Sequence, residues 1–316
     1  MENLVFSLNA TIPVFLMMLL GYFLGNYTKL VDRDFANKLN KLVFSTSLAF
    51  QMFVNIAESD FETIWNGTAI IFCFVVTLLC ILIMCLVSLL YKDGDSRGEF
   101  IQVGYRGSQA LLGAALLSNI YGSTGKLGII LIGSVPLFNV AAVIILMLTK
   151  PGEDKKIDSA KLKKTLFGIL RNEMLVATAI GIVFSAFRIT MPVIISKAVH
   201  SVAATASPMG LLALGALTEP AKAAAKWKPA AVASAFKLVI FPGVFAPIAA
   251  FLGYRGEMFA AILIMLAAPS TVSCFTMARG MGHEGTLSSA TVVLTTLLSA
   301  FTLTAWIFLF RSFGII

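Results

Sequence analysis

The chain has 316 residues, of which 58% are hydrophobic and only 13% charged. A soluble fold carries roughly 25% charged residues, so this chain cannot clothe a water-exposed surface and reads as a polytopic membrane protein. The net charge is +8, yet the basic residues are dispersed between apolar runs and form no patch or motif for nucleic acid, which excludes that partner.

A membrane-spanning helix needs ~20 mostly apolar residues. The pattern predicts ten spans, at 5–26, 36–56, 65–91, 98–119, 127–149, 166–187, 197–218, 229–252, 257–279 and 287–310. The first follows Met1-Glu2-Asn3, without a basic leader region, and is read as a span rather than a cleaved signal. It carries Gly21-Tyr22-Phe23-Leu24-Gly25, a small-residue face that packs a neighbour in the same chain or a second copy. Span 2 repeats Ser47, Gln51 and Asn55 every four residues, and span 10 does the same with Thr291, Thr295 and Ser299. Interhelical hydrogen bonding accounts for most such residues; Gln51, and Asn139 after Pro136 in span 5, are carried as substrate-contact candidates. Cys73, Cys80 and Cys85 share span 3 while Cys274 lies in span 9, so reduced packing cysteines are expected rather than disulfides.

Two apparent motifs are set aside. Val103-Gly104-Tyr105-Arg106-Gly107 echoes a potassium filter, but Arg106 opposes cations. Gly282-His283-Glu284-Gly285 lacks the second histidine of a zinc site. No metal, cofactor or enzymatic centre is expected.

Loop charge sets orientation. With the N-terminus outside, inside loops hold 17 Lys and Arg against 5 outside, which places both termini on the extracytoplasmic side of the cell membrane. The linker at 150–165 separates two halves, 1–149 and 166–316. Arg97-Gly98-Glu99 opens span 4, and Arg255-Gly256-Glu257 opens span 9 at an offset of 158. An odd number of spans per half inverts the second half, a plan typical of secondary transporters.

In such folds the site lies at midplane, where helices break. Spans 4 and 9 carry the breakers. Gly107 precedes Ser108 and Gln109, with Gly113 further on, and Pro269 precedes Ser270 and Thr271. Proline lacks the N–H that an intact helix uses. Ser108 and Ser270-Thr271 are expected to cap the half-helices that follow, aiming N–H groups into a cavity. Two cations enter the midregion, Arg106 beside the first break and Lys237 five residues before Pro242, and no Asp or Glu does. A midplane cation is costly, and a bound anion is its natural counter-charge. The competing reading is snorkelling, with each side chain reaching back to the cytoplasmic surface. Lys237 is also able to stand electrostatically for a metal cation or to carry a proton.

These residues resemble the auxin efflux carrier family of membrane transporters over nearly the whole chain. Ala206-Ser207-Pro208-Met209-Gly210 through Gly215 is similar to the family's span 7, Phe236-Lys237-Leu238 through Pro242 to its span 8, Leu266-Ala267-Ala268-Pro269 through Arg279 to its crossover span 9, and Leu297-Leu298-Ser299 to its span 10. The resemblance implies ten transmembrane helices in two inverted five-helix repeats with crossed broken helices, similar to sodium/bile-acid symporters. It implies a scaffold of spans 1, 2, 6 and 7, a mobile transport domain of spans 3–5 and 8–10, a homodimer, and organic-anion substrates such as auxin or dicarboxylates. Two departures stand out. Gly107 and Ser108 replace the family's proline and asparagine at the first crossover, and residues 68–90 lack the charged pair of plant members. The short linker resembles bacterial members.

The expectation is therefore a carrier of a small organic anion working by alternating access. Gly107, Ser108, Gln109, Pro269, Ser270 and Thr271 would supply donors, while Lys237 and Arg106 set the anion preference. The alternatives are a sodium-coupled symporter and a carrier-fold sensor that binds without turnover.

Overall fold

A computed structural model describes residues 2–28, 30–58, 66–91, 93–109, 117, 120–121, 126–152 and 173–316. Gly113 and most of span 4 after Gln109, the linker from 153 onward and the start of span 6 lie outside the described residues. Among the described residues all regular structure is helical.

In chain order the first half holds α1 (Glu2–Asn26), α2 (Arg33–Leu42), a π-helical turn (Val43–Ser47), α3 (Leu48–Ala57), α4 (Gly67–Ser88), α5 (Arg97–Tyr105) and α6 (Leu127–Leu148). The second holds α7 (Glu173–Ala186), α8 (Val193–Ala204), α9 (Ala206–Leu217), α10 (Pro220–Ala225), α11 (Trp227–Ala235), a second π-helical turn (Phe236–Ile240), α12 (Phe241–Phe251), α13 (Gly256–Ala267), α14 (Ser273–Gly280) and α15 (Thr286–Ser312). Among the described residues five stretches are long and apolar enough to cross a membrane: 67–88, 127–148, 193–217, 227–251 and 286–312. They fall on predicted spans 3, 5, 7, 8 and 10.

Local chemistry sets the helix starts. Asp32 accepts the Phe35 N–H at 2.7 Å to cap α2, and Asn66 accepts the Ala69 N–H at 3.1 Å to cap α4. The two Arg-Gly-Glu motifs do related work at a distance. Glu99 accepts N–H bonds from Gly285 and Ser288, both 2.8 Å, at the start of α15. Glu257 accepts the Lys126 N–H at 3.2 Å, at the start of α6. A carboxylate there satisfies open donors and the positive end of the helix dipole.

Packing falls into two groups. α1 lies along α9, and α3 along α7 and α8. The small-residue face of α1 is used within the chain: a Cβ on Gly21 would lie 2.3 Å from the Leu212 carbonyl oxygen, and one on Gly215 would lie 2.1 Å from that of Met18. In the other group α4 packs on α6, α12 packs on α13, and α15 touches both α11 and α13. α15 also touches α1 and so joins the two. The centre of the second group is α13, buried without interruption from Phe259 to Ala267. By contrast Ile71, Phe74, Leu82 and Leu86 on α4 are exposed, as expected of a helix whose outer face meets lipid. All four cysteines are free.

Candidate functional site

Two helices stop in mid-layer. α5 ends at Tyr105, and Arg106 is extended at φ −79°, ψ 133°. α13 ends at Ala267, and Ala268 is extended at φ −61°, ψ 142°, because the ring of Pro269 disfavours a helical residue before it. The breaks meet. The Ser108 N–H donates to the Pro269 carbonyl at 2.8 Å. The Ser270 hydroxyl donates to the Val103 carbonyl at 2.7 Å, and the Gln102 amide donates to the Cys274 carbonyl at 2.9 Å. Gln109 donates to the Met265 carbonyl at 3.4 Å and accepts the Ser134 hydroxyl at 2.7 Å. Thr295, from the polar stripe of α15, accepts the Ser270 N–H at 3.1 Å. Each break thus satisfies backbone groups that the other leaves open, which irregular backbone inside a membrane requires.

One expectation is corrected. α14 starts at Ser273 with Val272 at the cap position and no side-chain cap bond. Ser270 does not cap it, because its hydroxyl is committed to the open end of α5. The half-helix expected after Ser108 lies outside the described residues.

Both midregion cations are buried, Arg106 to 0% exposure and Lys237 to 1%, so neither snorkels. Arg106 forks across three elements. One terminal nitrogen donates to Gln102 Oε1 at 3.1 Å and to Met277 Sδ at 2.8 Å. The other donates to Asn139 Oδ1 at 2.8 Å and to Ser273 Oγ at 2.9 Å. The guanidinium also sits over the Phe138 ring at 5.3 Å. Lys237 Nζ donates to the Met265 and Leu266 carbonyls at 3.1 and 2.9 Å. All these partners are neutral.

A cavity of about 220 Å³ lies between the breaks and the helices α1, α3 and α9; its polar wall includes Gln51, Ser108, Ser207, Ser270, Thr271 and Ser273. A second of about 60 Å³ adjoins it, walled by Gln51, Asn55, Gly107, Ser108, Gln109 and Thr271 among others. Of the predicted residues, Gly107, Ser108, Gln109, Pro269, Ser270, Thr271 and Gln51 line one or both. Arg106, Lys237 and Asn139 stand behind the wall. Asn139 uses its oxygen on Arg106 and its amide on Met52 Sδ at 2.8 Å. Ser273 links the two layers: its hydroxyl accepts from Arg106 at 2.9 Å and donates to the Thr271 hydroxyl at 3.2 Å.

Sequence reasoning missed Ser207 and Ser273 as wall residues. The signal for Ser207 was present: Ser207-Pro208 follows the junction of α8 and α9 at Thr205, where the Thr205 hydroxyl meets Ser47 at 2.8 Å. Toward the loops at 26–33 and 280–286 the cavity is closed. Asn40 donates to the Thr276 carbonyl at 3.3 Å, Arg279 donates to Asn37 Oδ1, and Gly280 lies so close to the Phe44 ring that a Cβ would meet it at 2.6 Å.

Among known proteins, the family described as Membrane transport protein matches residues 6–307. In structure the chain is similar to the sodium proton antiporter MjNhaP1 of Methanocaldococcus jannaschii, with a TM-score of 0.64 and 13% identity over 95% of this chain and 97% of that one. At that identity the likeness concerns the fold alone. No curated protein matches the sequence.

Proposed function

Since the chain belongs to the membrane transport protein family, of the auxin efflux carrier type, we propose that it is a secondary active transporter of a small organic anion. The carrying observation is the pair of buried cations, Arg106 and Lys237, set behind the hydroxyl-lined cavity with only neutral hydrogen-bond partners. Buried charge without a counter-charge is expensive, and a carboxylate entering the cavity lowers that cost. Gln51, Ser108, Ser207, Ser270, Thr271 and Ser273 supply the short-range donors. The apolar part of the wall, with Met17, Leu48 and Leu211, suits a short carbon skeleton. A cavity of about 220 Å³ favours a small mono- or dicarboxylate.

The transport cycle we propose is alternating access with the two helix groups as its moving parts. Spans 1, 2, 6 and 7 form the scaffold, and spans 3–5 and 8–10 carry the substrate as an elevator. The ten-span plan of two inverted repeats is supported by the paired use of Glu99 and Glu257 at the starts of α15 and α6. In this reading both termini are extracytoplasmic, the chain works as a homodimer in the cell membrane, and α14 against α2 closes the cytoplasmic side. The similar fold of a sodium proton antiporter supports secondary transport. The cations at the crossing favour an anion as the cargo.

A thermal-shift screen of the purified protein against mono- and dicarboxylates, amino acids and indole acids identifies the ligand by mass action. Counterflow of that ligand in proteoliposomes then tests the carrier. Binding without counterflow identifies a sensor and overturns the proposal.

A further inference from the structure

Lys237 has a geometry that anion attraction alone does not use. α13 stops at Ala267, so the carbonyls of its last turn have no following turn to engage them. Met265 and Leu266 present theirs to Lys237 Nζ at 3.1 and 2.9 Å. Carbonyls freed at the C-terminal end of a half-helix are groups with which carriers hold an alkali cation at midplane, and the helix dipole adds negative charge there. In this chain an ammonium already fills the place.

Two further features build the seat. Lys237 lies in the π-helical turn Phe236–Ile240, and π turns concentrate at functional positions because the extra residue re-aims the side chains around it. Gly107, at the opposite break, abuts the ammonium: a Cβ there would lie 2.9 Å from Nζ, 3.1 Å from Cε and 3.3 Å from the Ala268 carbonyl oxygen. Glycine is the residue that lets the broken end of α5 approach so closely.

We infer that the Lys237 ammonium is a tethered substitute for a bound alkali cation at the end of α13, so that the site is completed without sodium. The consequence for transport, that substrate movement needs no sodium gradient, rests on the carrier reading above. The binding statement does not rest on it, and its test uses no substrate.

The test is the melting temperature of the full-length protein in detergent, in sodium chloride against choline chloride at equal ionic strength. Wild type should melt at the same temperature in both salts. Lys237→Ala should melt lower in choline and regain about 3 °C or more, saturably, in sodium, as a cation binds the vacated carbonyls. Lys237→Met keeps the volume but not the charge, so it should melt low in both salts. A sodium-specific rise in wild type would overturn the inference. So would a folded, monodisperse Lys237→Ala that ignores sodium, or a Lys237→Ala that cannot be recovered even when purified in sodium.

Discussion

Replacing Glu99 by glutamine tests the cap at α15 most sharply. The Glu99 side chain is 1% exposed and accepts two N–H bonds, from Gly285 and Ser288, both at 2.8 Å. A bond to a charged acceptor contributes about 1.5–3 kcal/mol. Glutamine keeps one acceptor and turns its amide against the second N–H, and it gives up a dipole interaction of about 0.3–1 kcal/mol. The expected loss is therefore about 3 kcal/mol, or a melting point lower by roughly 6 °C at about 2 °C per kcal/mol. Glu257 makes one such bond, at 3.2 Å and in a half-exposed setting. The same change there should cost only about 0.5 kcal/mol, close to 1 °C. Tryptophan fluorescence during heating in detergent reads both variants. Equal shifts, or a Glu99→Gln shift under about 1 °C, would refute the assignment of Glu99 as a charged cap.

Three other substitutions follow from the geometry. Arg106→Lys keeps the charge but cannot reach Asn139 and Gln102 together, so substrate binding should weaken by at least about tenfold with folding retained; isothermal titration with the identified anion checks this. Gly215→Ala places a Cβ 2.1 Å from the Met18 carbonyl oxygen, so α1 and α9 must separate at a cost of about 1–3 kcal/mol, read as lower yield and melting point. Asp93 lies in the loop before α5. Desolvation works to raise its carboxyl, but hydrogen bonds from Lys226 and Ser96 prevail and hold it at about 2. A depressed carboxylate stabilises above its unfolded value near 3.8, and that stability is lost as pH falls through about 2. With the pair partly exposed, the contribution is about 1 kcal/mol after screening. Asp93→Asn should therefore lower stability at pH 6 and flatten the decline between pH 4 and 2, as seen by melting across that range.

The helices and both breaks were legible because their signals are local. An apolar run of ~20 residues announces a span whatever surrounds it, and Pro269 forces Ala268 out of the helix by its own ring. The Arg-Gly-Glu tripeptide was legible as a recurring motif, but its work was not, since the Glu99 partners Gly285 and Ser288 lie more than 180 residues away. The depth of the cations was illegible for the same reason. Sequence places Arg106 and Lys237 at positions from which either could reach the surface. The carbonyls of Met265 and Leu266 hold Lys237 inside, and Gln102, Met277, Asn139 and Ser273 hold Arg106. The π turns at 43–47 and 236–240 carry no composition of their own and could not be read at all. Nor could the commitment of Ser270 to Val103, because a serine after a proline looks equally suited to cap the helix that follows.

The central claim is that an anion moves through a site completed by the chain's own cations. Counterflow in proteoliposomes tests it directly: labelled anion identified by thermal shift outside, unlabelled anion inside, with sodium or choline as the only salt. The account predicts saturable counterflow of equal rate in both salts, lost in Lys237→Ala reconstituted without sodium. Absence of counterflow by a ligand-binding wild-type protein, or counterflow that requires sodium, would contradict it.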